Sequence, residues 1–320
     1  MFKISVIIPY RKKNIYLEEC LHYLSALKVK DLEVILLPDG HEQGALHEAL
    51  KIKVIPTGAL GPADKRDLGA QHASGDILAF IDDDAYPSAT WLSAASIHFQ
   101  ALHIAAVTGP NVTPPTDTFW QKASGKIYEN PFCSGNCTHR YRPEKKKFVD
   151  DAASCNLLVR KKDFFAVGGF QSKYYPGEDT KLCLDLIQKL KKKIVYDPEV
   201  RVFHHRRSLW KPHLHQVRQY ALHRGFFMKK YPMNSLKISY AVPSFFLLYC
   251  LGIPVLMLLK PSWLGFWILP LLVYFTGLLL TTKPNTSWAL TAATTAGAFL
   301  THITYGWALL KGLCARDLKR

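Results

Sequence analysis

Residues 75–92 read GDILAFIDDDAYPSATWL. Ile77, Leu78, Phe80 and Ile81 form a short apolar run of the length expected for a buried strand. The run ends in Asp82, Asp83 and Asp84. Adjacent carboxylates repel, so holding them at a strand end costs free energy unless a cation or ligand offsets it. SATWL then opens a helical pattern that runs through residues 90–102. A strand that delivers acids to its carboxyl end and then passes into a helix is a unit of a doubly wound α/β sheet, where ligands gather at that edge.

The same rhythm extends in both directions. KISVIIPY (3–10), LEVILLPDG (32–40), KVIPTG (53–58) and IAAVTGPNV (104–112) read as strands. Helical spacing occupies 17–27 and 62–74 between them. Asp39, at the end of the second strand, shares an edge with Asp82–Asp84. Residues 113–150 lack a clean period and read as a long excursion. SCNLLVRKKDFFAVGGF (154–170) gives a strand, a short helix and a glycine turn. GEDTKLCLDLIQKLKKK (177–193) is an amphipathic helix with acids first and bases last, and IVYDPEVRVFHH (194–205) gives two short strands. The fold class is therefore α/β, a doubly wound, mostly parallel sheet.

Composition divides the 320 residues. The formal net charge is +16, and residues 201–230 hold eight Lys or Arg, five His and no acid, with aromatics and leucines interleaved. Beside an apolar tail this reads as a basic amphipathic helix on an anionic membrane surface, in preference to a nucleic-acid patch. Residues 238–310 carry only Lys260 and Lys283 as full charges. Segments near 238–259, 262–282 and 286–310 are each long enough to span a bilayer, with the number of true spans left open. An odd number would send the basic KGLCARDLKR tail outside, against the positive-inside tendency. The expected organisation is 1–207 globular, 208–236 interfacial and 237–320 membrane, with about three hydrophobic helices. MFKISVIIPYRKKN is no signal peptide, so the globular part is expected in the cytoplasm at the cell (inner) membrane. Scattered cysteines suit a reducing compartment, and Cys133, Cys137 and His139 lack a fourth partner for zinc.

SVIIPYR, Asp39-Gly40, GPADKRDLGAQHASGDILAFIDDDAYPSATWL, GGF…GEDTKLCLDL and DPEVRVFHH stand in the order seen in family 2 glycosyltransferases of the GT-A fold. The chain resembles that family over roughly residues 3–207. The resemblance implies a GT-A type sheet, a nucleotide-sugar donor and Mg²⁺ or Mn²⁺. It implies Asp84, Asp82 and His204 as metal contacts, and Pro9, Tyr10, Arg11, Asp39, Lys65, Arg66, Asp82 and Asp83 on the donor side. It makes Asp179 the base that takes the acceptor proton and Glu178 the neighbour that positions the acceptor; without it, both acids also read as helix caps. Asn156 and Trp120 are expected on the acceptor side, with Trp120 also suited to a satellite core.

The strand-two motif departs from the family's two acids before Gly-Ser, and no Q-x-x-R-W motif is present, which points to transfer of one sugar rather than polymerisation. The expected partners are a nucleotide sugar, a lipid-linked or glycan acceptor of surface-glycan synthesis and membrane lipids, with no nucleic acid. Direct attack by one hydroxyl gives inversion. The rivals are transfer straight onto polyprenyl phosphate, an anionic acceptor that needs little base help, and a non-catalytic nucleotide-binding membrane scaffold.

Overall fold

The computed structural model describes residues 2–27, 29, 32–41, 47–284 and 286–318. Of the expected membrane region, positions 285 and 319–320 lie outside the described residues. The strands are β1 (Ile4–Pro9), β2 (Glu33–Leu37), β3 (Lys51–Val54), β4 (Ile77–Ile81), β5 (Ala85–Pro87), β6 (Ile104–Thr108), β7 (Asn111–Val112), β8 (Lys147–Val149), β9 (Asn156–Arg160), β10 (Lys193–Tyr196) and β11 (Val202–His204). The helices are α1 (Ile15–Ser25), α2 (Pro62–His72), α3 (Trp91–His98), α4 (Phe119–Glu129), α5 (Pro131–Ser134), α6 (Lys161–Ala166), α7 (Glu178–Gln188), α8 (Lys211–Lys230), α9 (Pro232–Ser235), α10 (Ile238–Leu259), α11 (Leu264–Thr282) and α12 (Trp288–Cys314). Contacts divide the chain into two units, Met1–Val112 with Arg142–His205, and Thr113–Tyr141 with Arg206–Lys319.

The first unit is built on an eight-stranded sheet in the order β3-β2-β1-β4-β9-β6-β10-β8. Neighbours β3, β2, β1 and β4 run parallel, as do β6 and β10. β9 enters antiparallel between β4 and β6, and β8 lies antiparallel on β10. The sheet is therefore mixed, with a parallel half that carries the acids at its carboxyl edge. Alternation along β1 explains the two layers: Ile4, Val6 and Ile8 pack with Leu17, Leu21 and Leu24 of α1 and Trp91 of α3, while Ile7 packs with Ala63 of α2 and Leu182 of α7.

The run expected at 104–112 breaks at Gly109-Pro110 into β6 and β7. A Cβ at Gly109 would collide with the Val200 carbonyl, so the close approach requires glycine there. β7 joins β5 and β11 in a second, three-stranded sheet. That sheet sets His204 opposite Ala85, the residue after the triple Asp.

In the second unit, residues 113–141 of the expected excursion pack with the C-terminal helices rather than with the sheet. α8 and α12 lie along each other with little separation. A Cβ at Gly225 would strike the Leu309 carbonyl, and one at Gly312 the Leu222 carbonyl. Much of the buried side of the basic helix is thus taken up by α12. His213 of α8 lies between Ser124 of α4 (2.8 Å) and Thr301 of α12 (2.9 Å).

Among the described residues two helical stretches, Ile238–Leu259 and Pro261–Thr282, are long and apolar enough to cross a membrane. They fit a C-terminal membrane region and expose Phe245, Leu248, Leu258, Phe266 and Leu272. The third expected segment forms the long helix α12. Its Thr291, Thr294, Thr301 and His302 are buried inside the unit and dilute its apolarity.

Candidate active site

The site grows from the ends of β2 and β4. β4 is buried throughout and stops at Asp82, where the chain turns into β5. Asp82 and Asp84 point to one place, and antiparallel pairing of β11 with β5 brings His204 there. Among the described residues these three converge as metal ligands, with ligand atoms all within 4.8 Å of one another. Cys133, Cys137 and His139 form no such group. His204 Nε2 lies 3.1 Å from Asp84 Oδ1. Burial alone would lower the imidazole, but Asp84 and then Cys155 outweigh it and push its pKa up to about 10. Two hard carboxylate oxygens and one imidazole suit Mn²⁺ or Mg²⁺ with room for further oxygen ligands.

Asp83 faces elsewhere. It accepts a hydrogen bond of 2.7 Å from Asn14 Nδ2, whose Oδ1 caps α1 at the Leu17 amide. Burial, then repulsion from Asp84, raises its pKa to about 6, against the Asn14 hydrogen bond. Asp83 thereby ties the end of β4 to the loop after β1. The sequence reading missed Asn14, although an N-cap residue before an apolar periodic run was its visible signal.

α2 supplies two consecutive cations. Lys65 is 2% exposed, and its ammonium donates to the Tyr10 and Leu37 carbonyls and to Asp39 Oδ1, at 2.5, 3.0 and 2.5 Å. An ammonium has three N–H donors, so Lys65 holds Asp39 and keeps none for a phosphate. The Asp39 amide donates to the Arg11 carbonyl at 3.1 Å. The Arg11 side chain is exposed, while Pro9 and Tyr10 are buried.

Arg66 Nη2 lies 2.5 Å from Asp82 Oδ1, and Nη1 lies 3.3 Å from Glu178 Oε1. Glu178 begins α7 after Gly177, whose φ of 115° is strained for any side chain. Its second oxygen accepts from the Gly177 amide at 3.0 Å. Burial, then the neighbouring Asp179 charge, raises the Glu178 pKa, with Arg66 opposing. Glu178 therefore faces Arg66. Asp179 is half-buried and accepts from the Thr180 amide at 2.7 Å. Tyr175, unread in the sequence, senses both acids and Arg66, with burial and then Glu178 pushing its phenol up to about 12.

Two expected acceptor contacts stand differently. Asn156 is fully buried: its Oδ1 accepts from Trp91 Nε1 at 2.9 Å and its Nδ2 donates to the Val200 carbonyl at 2.8 Å. Those bonds tie β9 to its neighbours and leave the amide closed to an acceptor. Trp120 lies in the second unit, edge-on to Phe119 and tilted on Trp210.

Comparison with known proteins now gives the class. The model of glycosyl transferase family 2 matches residues 5–164, and the chain belongs to that family. The chain is similar to a glucosyl-dolichyl phosphate glucuronosyltransferase of Haloferax volcanii, 22% identical over 219 residues, covering 63% of this chain and 69% of that one. It is also similar to a pre-mycofactocin glycosyltransferase of Mycobacterium tuberculosis, 26% identical over 167 residues, spanning 52% of this chain but only 33% of the relative. Among solved structures, the mannosyltransferase PcManGT from Pyrobaculum calidifontis, in complex with GDP-Man and Mn²⁺, superimposes with a TM-score of 0.57 at 16% identity, over 97% of this chain and 86% of that one. The likeness establishes the GT-A type α/β fold.

Proposed function

We propose that this chain is a membrane-anchored, inverting glycosyltransferase that moves one sugar from a nucleotide sugar to a lipid-linked acceptor. The observation that carries this reading is the span of Arg66. One guanidinium touches both Asp82 of the converging acid–histidine group and Glu178, the residue before Asp179. One side chain thus joins the metal-ligand set to the helix start that carries the candidate base.

The donor side is built from Asp39, held by Lys65 for contact with the nucleotide, and from exposed Arg11 beside it. Asp82, Asp84 and His204 would hold a divalent ion, which when bound neutralises charge on the leaving diphosphate. Asp179 takes the proton of the acceptor hydroxyl as the new glycosidic bond forms. Its place in the first turn of α7 favours the ionised carboxylate a base needs. One direct attack displaces the nucleoside diphosphate and inverts the anomeric carbon.

The Haloferax relative is named for a dolichyl-linked sugar phosphate, which supports a lipid-linked acceptor. The α10–α11 pair supports a bilayer anchor, with Lys237 and Lys283 at one end of the hairpin and Lys260 and Trp263 at the other. Two crossings, rather than three, return the basic tail to the side of the catalytic unit, which this reading puts in the cytoplasm at the inner membrane. The test is product analysis. Detergent-solubilised protein with UDP-, GDP- and dTDP-sugars and a membrane lipid extract should yield one glycosylated lipid of inverted anomeric configuration. Asp179→Ala should remove that product. Unchanged product in Asp179→Ala would favour polyprenyl phosphate as acceptor, and donor binding without any product would favour the scaffold.

A further inference from the structure

We infer that Glu178 is a positioning residue for the metal site, acting through Arg66, and that it links occupancy of Asp82 to the turn carrying Asp179. The inference rests on the reading of Asp82, Asp84 and His204 as a metal site. Arg66 and Glu178 side chains are each only 4% exposed, whereas Asp82 keeps 28%. Both Glu178 oxygens are occupied, one by Arg66 and one by the Gly177 amide. The side chain is almost fully buried and its one side-chain partner among the described residues is Arg66, so the role assigned to this acid passes through its cation.

The sharing is unequal. Arg66 sits 2.5 Å from Asp82 and 3.3 Å from Glu178, with the Phe170 ring 5.7 Å from the guanidinium carbon. A buried carboxylate and a buried guanidinium each lose heavily if left unpaired. When Asp82 turns to a divalent cation, its hold on Arg66 weakens, and the ion repels the guanidinium. Arg66 then closes on Glu178, which opens α7 beside Asp179. Linkage requires the reverse as well. Without the Glu178 charge, Arg66 rests wholly on Asp82 and competes with the ion.

The experiment uses Mn²⁺ alone, without nucleotide, on the full-length protein in detergent. Calorimetry should show Glu178→Gln binding Mn²⁺ about tenfold more weakly than wild type, the scale of losses around metal ligands. Asp185→Asn, which removes a charge farther along α7 where Lys181 and Lys189 are its partners, should bind as wild type does. In the same samples, hydrogen exchange at the amides of 178–181 should slow on Mn²⁺ saturation in wild type and not in Glu178→Gln. Equal Mn²⁺ affinity of wild type and Glu178→Gln would overturn the inference. If Glu178→Gln does not fold, the wild-type exchange measurement decides, and no slowing at those amides overturns it. A wild type that binds no Mn²⁺ overturns the metal site itself, and the inference with it.

Discussion

At the ends of β2 and β4, two acids meet two successive cations of one helix. At the β2 edge, Asp39 is gripped by Lys65, whose other two donors are spent on the Tyr10 and Leu37 carbonyls. At the β4 edge, Asp82 shares Arg66 with Glu178, and Asp84 shares its place with His204. The first edge is saturated: every donor of the cation has a fixed acceptor. The second holds more acids than cations, in a group of oxygens and one imidazole that a divalent ion would complete. Two cations one residue apart on the same helix therefore give a rigid bracket in one place and a responsive centre in the other. A saturated pair fixes geometry, whereas a shared pair moves when either partner changes.

Four measurements break or sharpen that contrast. The largest effect is expected at the responsive edge: Asp84→Ala should cut donor turnover by several kcal/mol of barrier, about 10²–10³-fold, with little change in melting temperature. At the saturated edge the loss falls on the fold. Lys65→Met takes the ammonium away from Asp39 and from the Tyr10 and Leu37 carbonyls and should destabilise the protein by about 3 kcal/mol in denaturant titration. Arg66→Lys keeps the charge but cannot bridge two carboxylates, and should lower turnover more than it lowers stability. If the two substitutions gave the same pattern, the contrast would fail.

The smallest effect is expected at Glu33, at the other end of β2. Burial raises its pKa, but hydrogen bonds from Ser5 (2.5 Å) and the Ser74 amide (2.8 Å) outweigh burial and hold it below the usual range. A depressed folded pKa contributes stability above the unfolded value and loses it as pH falls through the folded one. The melting-temperature gap between wild type and Glu33→Gln should therefore be widest near neutrality and close on acidification below about pH 4.5.

Much of this was legible because local signals carry it. The apolar runs at 4–9, 33–37 and 77–81 are strands, and the acids that follow two of them lie at one sheet edge. What escaped depends on partners distant in the chain. Arg66 and Glu178 are 112 residues apart, and nothing near either announces the pair. Asn156 on a strand looked available, yet Trp91 and the Val200 carbonyl, 65 and 44 residues away, use it fully. The direction of β9 was equally hidden, because an apolar run fits either orientation. α12 read as long enough to span, and only its packing shows why a threonine and a histidine belong there: Thr301 meets His213 of α8 and His302 meets Tyr274 of α11.

The central claim is that a divalent ion at Asp82, Asp84 and His204 and a base at Asp179 act together on a nucleotide sugar. The most direct test follows released nucleoside diphosphate against Mn²⁺ concentration in wild type, Asp84→Ala and Asp179→Ala, with EDTA as the zero point. The account expects metal-dependent release from one donor in wild type, no rescue of Asp84→Ala at any Mn²⁺ concentration, and a low but still metal-dependent rate in Asp179→Ala. Wild-type release that persists in EDTA, or full activity in Asp84→Ala, would contradict it.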